Sequence, residues 1–187
     1  MQKFFADFET INRFTLSLDY HQDKLECRHC LKHDQFISHG IVYKQRSIAV
    51  VEKVGKRIFC SNRYGRSGCG RSFQLNVATK IPRLRYGAAE LFVFIASLLL
   101  NLTITEAYQK ATGQFESRNA WRWLDKLMVR LSSYRTGLTC LADTLPFPFI
   151  THNRRLQHLL PTLAQLITNA DACPCSAYQF QRQNAFM

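Results

Sequence analysis

Cysteine supplies the chemistry most visible in this chain, because four of its seven cysteines fall into two groups. The first is Cys27-Arg28-His29-Cys30; the second is Cys60 and Cys69, with eight residues between them. A strand-like basic stretch joins the two groups. Zn²⁺ takes four soft thiolates in a tetrahedron, and two short-loop pairs brought together by a hairpin deliver that set at low entropic cost. The layout is that of a zinc ribbon, so Zn²⁺ is the expected cofactor. The segment Ser61–Gly68 carries Gly65 and Gly68 and can loop out without strain. His29 lies inside the first knuckle, where its ring points away from the metal if both flanking cysteines bind. His33 or His39 could replace a cysteine if the long second pair fails, and His21 reads as a surface residue. Cys140, Cys173 and Cys175 stand outside this set. The spacing Cys173-Pro174-Cys175 is too tight for a usual knuckle and reads as a tail feature without a role.

Charge points the same way as the cysteines. The 25 Lys+Arg against 13 Asp+Glu leave a formal charge of +12, and it is unevenly placed. No acid occurs between Lys53 and Ala89, while Lys53, Lys56, Arg57, Arg63, Arg66, Arg71, Lys80, Arg83 and Arg85 are all basic. A one-sign patch of that density steers phosphate backbones toward it. The competing interpretation is a merely solvated basic face, but the missing acids favour nucleic acid. Residues 1–26 instead mix acids with Phe4, Phe5, Phe8 and Phe14, which are available to pack on a neighbour.

Several function classes lose support. Met1–Glu9 has no basic start followed by a sustained apolar core, so a reducing, cytoplasmic setting is expected and an odd cysteine count argues against a disulfide framework. The apolar run Leu91–Leu100 is bounded by Glu90 and Asn101 and falls short of the about 20 residues of a membrane span, so it reads as a buried core helix and no membrane is expected as partner. No Ser/His/Asp set or phosphate-binding glycine loop stands out. After Glu116 only Asp125, Asp143 and Asp171 remain as carboxylates, too few to place the two metal ions of a strand-transfer centre. No catalytic residue is assigned.

These residues need elements to position them. Part of 1–26 reads as helical. Ile37–Tyr43, Ser47–Val51 and Lys53–Phe59 read as three short strands rich in β-branched residues. Pro82 breaks the basic connector, and the period then becomes helical. A first helix is expected from Ala88 to about Leu100. Thr103 and Glu106 form a capping box for a second over Ile104–Ala111, stopped by Gly113 at its C′ position. Ser117 is expected to cap a third, running to about Leu131. The resulting division is a segment 1–23, a zinc ribbon 24–76, a basic linker 77–87, a helix-turn-helix 88–135, and a poorly structured or helical tail 136–187. Within that tail, Leu145–Phe149 reads as a rigid apolar kink, 156–167 as a short helix interrupted at Pro161, and 179–187 as loose. The expected class is α+β, a small β-rich ribbon followed by an all-α bundle.

The third helix carries the most pattern. Arg118, Arg122, Lys126 and Arg130 recur every four residues as a basic stripe, and Trp121, Leu124, Met128 and Leu131 recur at three and four as an apolar face. A recognition helix buries one side and turns cations outward in this way. Arg and Asn are the side chains whose forks match guanine and adenine edges, which singles out Arg118, Asn119 and Arg122. A surface helix with four solvated bases is the alternative.

The set Cys27-x-x-Cys30, His39-Gly40, Gly55-Lys56-Arg57-Ile58-Phe59-Cys60 and Cys69-Gly70-Arg71-Ser72-Phe73, followed by such helices, resembles the small zinc-ribbon proteins and N-terminal DNA-binding regions of transposases encoded by bacterial insertion sequences. The resemblance covers about residues 25–132, and its second cysteine pair is wider than the family's usual two-residue gap. It implies Cys27, Cys30, Cys60 and Cys69 as ligands and Arg118, Asn119 and Arg122 as base or phosphate contacts. The partner it implies is double-stranded DNA at the ends of a mobile element, with a separate transposase subunit supplying catalysis and a homodimer as one possible state. An accessory or regulator of transposition fits equally. Two rivals stand beside it: a protein-interaction module docking through the ribbon with Phe92 and Phe94, and an RNA-binding ribbon whose Phe59, Tyr64 and Phe73 stack bases.

Overall fold

A computed structural model of the chain describes residues 2–19, 25–45, 50–138, 153–168 and 173–187. Four strands form one sheet in the order β1-β4-β3-β2, comprising β1 (Gln2–Phe5), β2 (Phe36–Gln45), β3 (Val51–Cys60) and β4 (Ser72–Val77). β1 runs parallel to β4, with Phe4 opposite Asn76, and the other pairs are antiparallel. The chain divides into two units, Met1–Arg85 with Gln179–Asn184, and Tyr86–Tyr178 with Ala185–Met187.

In the first unit the sheet is built on period-two alternation. Phe73, Leu75 and Val77 of β4 and Ile58 of β3 are buried in one cluster with Phe5, Ile11 and Leu18. That cluster packs α1 (Phe8–Asp19) onto one face of the sheet. Helix α1 begins where the Asp7 carboxylate accepts the Thr10 amide at 2.7 Å, a cap that satisfies an orphan donor of the first turn. The same hydrogen bond holds the Asp7 carboxyl below its ordinary value. Residues 1–23 are therefore not a separate segment: β1 and α1 belong to the sheet unit.

Two strand expectations change. Residues 47–49 of the expected second strand lie outside the described residues, and Val51 opens β3, which runs unbroken to Cys60. β4 lies where no strand is expected, although Phe73, Leu75 and Val77 alternate with polar residues along it. It starts three residues after Cys69, inside the stretch that the cysteine motif occupies in the sequence pattern.

The second unit is helical. It holds α2 (Ala88–Leu99), α3 (Ile104–Thr112), α4 (Ser117–Val129), α5 (Leu131–Leu138), α6 (Arg154–Thr168) and the first residues of α7 (Pro174–Arg182). The run expected to be a core helix is one, with Leu91, Phe94, Ile95 and Leu98 buried in α2. The expected capping box of α3 is present, the Thr103 hydroxyl accepting the Glu106 amide at 3.3 Å and the Glu106 carboxylate accepting the Thr103 amide at 2.9 Å. Gly113 ends that helix at φ 70°, a left-handed position open to glycine. Trp123 holds the unit's centre, packed edge-on against Tyr86, Phe94 and Tyr108 at ring separations of 5.6, 5.3 and 5.2 Å.

Four further expectations are corrected. Glu116, not Ser117, stands at the N-cap of α4, with no side-chain cap bond. The buried face of α4 is Ala120, Trp123, Leu124 and Leu127, while Trp121 is 42% exposed; Trp123, not Trp121, is the ring that meets Phe94 and Tyr108. Helix α6 passes through Pro161 without interruption, because Leu156, Leu159, Leu160 and Leu163 bury a stripe that outweighs one missing backbone bond. Residues 179–187 are not loose. Gln179 is fully buried and donates to the carbonyl oxygens of Ala78 and Lys80, and Gln183 exchanges hydrogen bonds with the backbone of Phe4 at 2.8 and 2.9 Å. In the second unit Phe186 is buried against Tyr134 and accepts its phenol hydrogen bond through the backbone. Leu145–Phe149 and Cys140 lie outside the described residues.

The content is that of an α+β protein, four strands and seven helices among the described residues. The expected order, all sheet and then all helix, does not hold. α1 falls between β1 and β2, and the end of α7 belongs with the sheet unit.

Candidate metal centre

Two turns bring the four cysteines together. At the first, the Leu31 amide donates to the Cys27 carbonyl at 2.7 Å and the Cys27 amide to the Lys32 carbonyl at 3.0 Å. This folds Cys27 and Cys30 onto one side of a tight loop. At the second, the eight intervening residues form a loop closed at its neck. Cys60 and Arg71, Cys60 and Gly70, and Ser61 and Gly68 are joined by backbone hydrogen bonds of 2.9, 2.9 and 2.7 Å. The width of the second pair therefore costs nothing in geometry, since the extra residues bulge away and return to the same point.

The four sulfurs lie within 4.8 Å of one another and could hold a metal ion. Cys27 Sγ is 3.6 Å from Cys69 Sγ, and Cys30 Sγ is 3.7 Å from Cys60 Sγ. A disulfide would need about 2.05 Å, so these are separate thiols gathered around a common centre. Cys27 and Cys60 are buried, Cys30 is partly exposed and Cys69 reaches the surface.

Electrostatics prepares the sulfurs unequally. Burial pushes the Cys27 thiol up, but the His29 and Cys30 amides and the neighbouring thiols outweigh it and bring Cys27 down to about 7. Burial dominates at Cys60, which is pushed up to about 12 despite the Cys69 amide directed at its sulfur at 3.4 Å. Four thiolates gathered this closely repel one another and cannot all be charged without a cation among them.

No histidine joins the group. The His29 ring turns away, stacked on Phe73 at 5.6 Å with Arg71 Nη1 2.6 Å from its Nδ1. Loss of solvent around the ring and the Arg71 guanidinium hold His29 below its ordinary value. His33 pairs with Glu26 at 3.3 Å, and His39 lies against Phe59. His21 lies outside the described residues.

The basic residues singled out in the sequence meet different fates. Arg57, Arg63 and Lys53 are exposed, Lys53 with its ammonium 5.7 Å from the Phe8 ring. Lys56 donates to the Thr15 hydroxyl at 2.9 Å, Arg66 to the carbonyl oxygens of Asp34 and Phe36, and Arg71 is taken up by His29. Those three brace the first unit. On α4, Arg118, Arg122 and Lys126 are exposed, with Arg122 donating to Asn119 Oδ1 at 3.2 Å and Asn119 to the Glu116 carboxylate.

One residue the sequence undervalued is Gly68. A β-carbon there would stand 2.4 Å from the Ser61 carbonyl oxygen and 2.7 Å from Cys60 Sγ. Its role is to let a metal-site sulfur and the loop neck approach each other, not to relax the loop.

No family model, curated protein or solved structure matches the chain.

Proposed function

We propose that the chain is a zinc-stabilised DNA-binding protein, its ribbon built on Cys27, Cys30, Cys60 and Cys69. The observation that carries the reading is the sulfur spacing. Zinc–thiolate bonds of about 2.3 Å place tetrahedral sulfurs about 3.8 Å apart, and the pairs Cys27–Cys69 and Cys30–Cys60 stand at 3.6 and 3.7 Å. Four deprotonated thiols around a divalent cation would leave a net charge of about −2, which the Cys69 amide on Cys60 helps disperse.

The partner proposed is double-stranded DNA. Arg118, Arg122 and Lys126 project from a helix whose other side is buried, and α3, Gly113 and α4 supply the elements of a helix-turn-helix. Arg57 and Arg63 give the first unit exposed cations for phosphates. A place at the ends of a bacterial mobile element, as accessory or regulator beside a separate transposase, extends this reading on the strength of the resemblance at Gly55–Phe73. No cutting chemistry is assigned: Asp125, a carboxylate of α4, is paired with Arg155 at 2.7 Å, and Asp143 and Asp171 lie outside the described residues. Among the described residues no helix is long and apolar enough to cross a membrane. A reducing cytoplasm is the setting in which free thiolates would persist.

The rivals lose particular residues. Phe94 is buried beneath Trp123 and offers nothing to a protein partner. Phe73 is buried in the sheet cluster and cannot stack a base, although Tyr64 is 90% exposed. The test joins metal and DNA. Purified protein should carry one zinc per chain. Its binding to a selected duplex should weaken linearly in log salt, with a slope of about −0.9 for each phosphate neutralised. Arg122→Ala should cost about 1–3 kcal/mol on that duplex, and Arg57→Ala should weaken all sequences alike. A metal-free native protein, or affinity indifferent to salt, defeats the proposal.

A further inference from the structure

The sheet face opposite α1 is not flat. Gln74 and Asn76 alternate with the buried Phe73, Leu75 and Val77, so they lie on the other side of β4. There, with the segment Lys80–Arg85, they line a cavity of about 360 Å³. Its inner end is polar and incompletely satisfied. Asn76 is 3% exposed; its Oδ1 accepts from Gln74 Nε2 at 2.8 Å, and its Nδ2 has no hydrogen-bond partner. A buried amide donor left unpaired costs free energy that a ligand acceptor would recover.

The rest of the lining is cationic. Lys44, Lys80, Arg83 and Arg85 all contribute. Lys80 is balanced by Glu52 at 2.6 Å, and Lys44 donates to the Leu84 carbonyl. Arg83 is exposed and held at φ 62°, a conformation unfavourable for a non-glycine residue and more often retained where a side chain must be presented. Val42, Val54 and Pro82 supply apolar wall.

A cationic rim and an unpaired buried amide donor suit a ligand that carries an anionic group and a hydrogen-bond acceptor. We propose that this cavity binds a single nucleotide, its phosphate held by Arg83 and an acceptor on its base edge receiving the Asn76 Nδ2 hydrogen bond. Asparagine is among the side chains whose forks match base edges, and the volume falls within the range of small-ligand pockets. The inference stands apart from the duplex-binding reading, since the cavity takes one nucleotide whether free in solution or at an unpaired strand end.

Titration calorimetry on the full zinc-loaded chain tests it, with deoxynucleoside 5′-monophosphates, inorganic phosphate and a short 5′-phosphorylated single strand as probes. Expected is saturable binding of at least one monophosphate at one per chain, tighter than phosphate. The single strand competing for that site identifies a strand end as the source; its failure to compete identifies the free nucleotide. Asn76→Asp, which replaces the donor with an acceptor at constant shape, should weaken binding about tenfold or more. Arg83→Ala lies on the surface and should weaken it severalfold without touching the fold. Arg122→Ala should leave it unchanged, so failure of duplex binding and failure of this site read out separately. No saturation by any monophosphate, equal affinity for phosphate and nucleotide, or binding indifferent to both Asn76→Asp and Arg83→Ala overturns the proposal.

Discussion

At the scale of single residues, Gly68 decides whether four thiols can meet. With a β-carbon 2.7 Å from Cys60 Sγ and 2.4 Å from a carbonyl oxygen, Gly68→Ala must displace either the ligand or the loop neck. The expected outcome is metal affinity lowered by about tenfold or more in a chelator competition, a loss of the size seen when a metal site's supporting contacts are removed. Gly65→Ala is the control. It faces open space at φ 76°, so it should cost about 1–2 kcal/mol of left-handed strain and leave metal affinity alone. A second residue-scale prediction concerns Cys173, which precedes α7. The Cys175 thiol donates to it and the Ser176 amide assists, bringing it down to about 6 from an ordinary 9.0, while burial drives Cys175 upward. A pKa depressed on folding means that the thiolate form is favoured in the native protein. The associated stability is fully present above pH 9 and is lost as pH falls through 6. Alkylation of Cys173 by iodoacetamide, followed by mass spectrometry, should therefore show a midpoint near pH 6 in native protein, moving toward 9 after denaturation. A native midpoint near 9 contradicts the thiol pairing.

At the scale of elements, α4 shows how periodicity can be right while the phase is wrong. The expected stripe of Trp121, Leu124, Met128 and Leu131 has helical spacing, but packing against Phe94 of α2 and Tyr108 of α3 turns the face of Ala120, Trp123, Leu124 and Leu127 inward instead. The consequence is an asymmetric pair of substitutions. Trp123→Ala removes the ring shared by Tyr86, Phe94 and Tyr108 and should cost about 3–5 kcal/mol in urea unfolding. Trp121, 42% exposed beside Arg118 and Arg122, should change stability by under about 0.5 kcal/mol when replaced by Ala. Equal costs would mean that the helix is rotated from its assigned face. Strand β4 carries the complementary lesson. Phe73, Leu75 and Val77 spell a half-buried strand, but Phe73 follows a cysteine knuckle closely enough that the metal motif claimed it first.

At the scale of the molecule, the chain's two ends are joined through the first unit. Gln183 brackets the Phe4 backbone, and Gln179 caps the carbonyl oxygens of Ala78 and Lys80. Ending the chain after Tyr178 would take these hydrogen bonds from the edge strand β1 and from the segment that follows β4, and would remove Phe186 from Tyr134. The truncated protein should melt several degrees lower, a shift of about 4–8 °C for each kcal/mol lost in a unit of about this size, measured by circular dichroism. An unchanged melting temperature would show the tail to be dispensable.

Local signals were enough to read the cysteine pairs, the core helix at Leu91–Leu98, the capping box at Thr103 and the stop at Gly113, because each depends on neighbours a few residues away. They were not enough to place β1 beside β4, to bury Gln179, to choose Trp123 over Trp121, or to leave the Asn76 amide unpaired behind a basic rim. Those outcomes depend on partners distant in sequence, and a polar residue that the chain pattern writes off as surface becomes structural or functional only when another segment is packed against it.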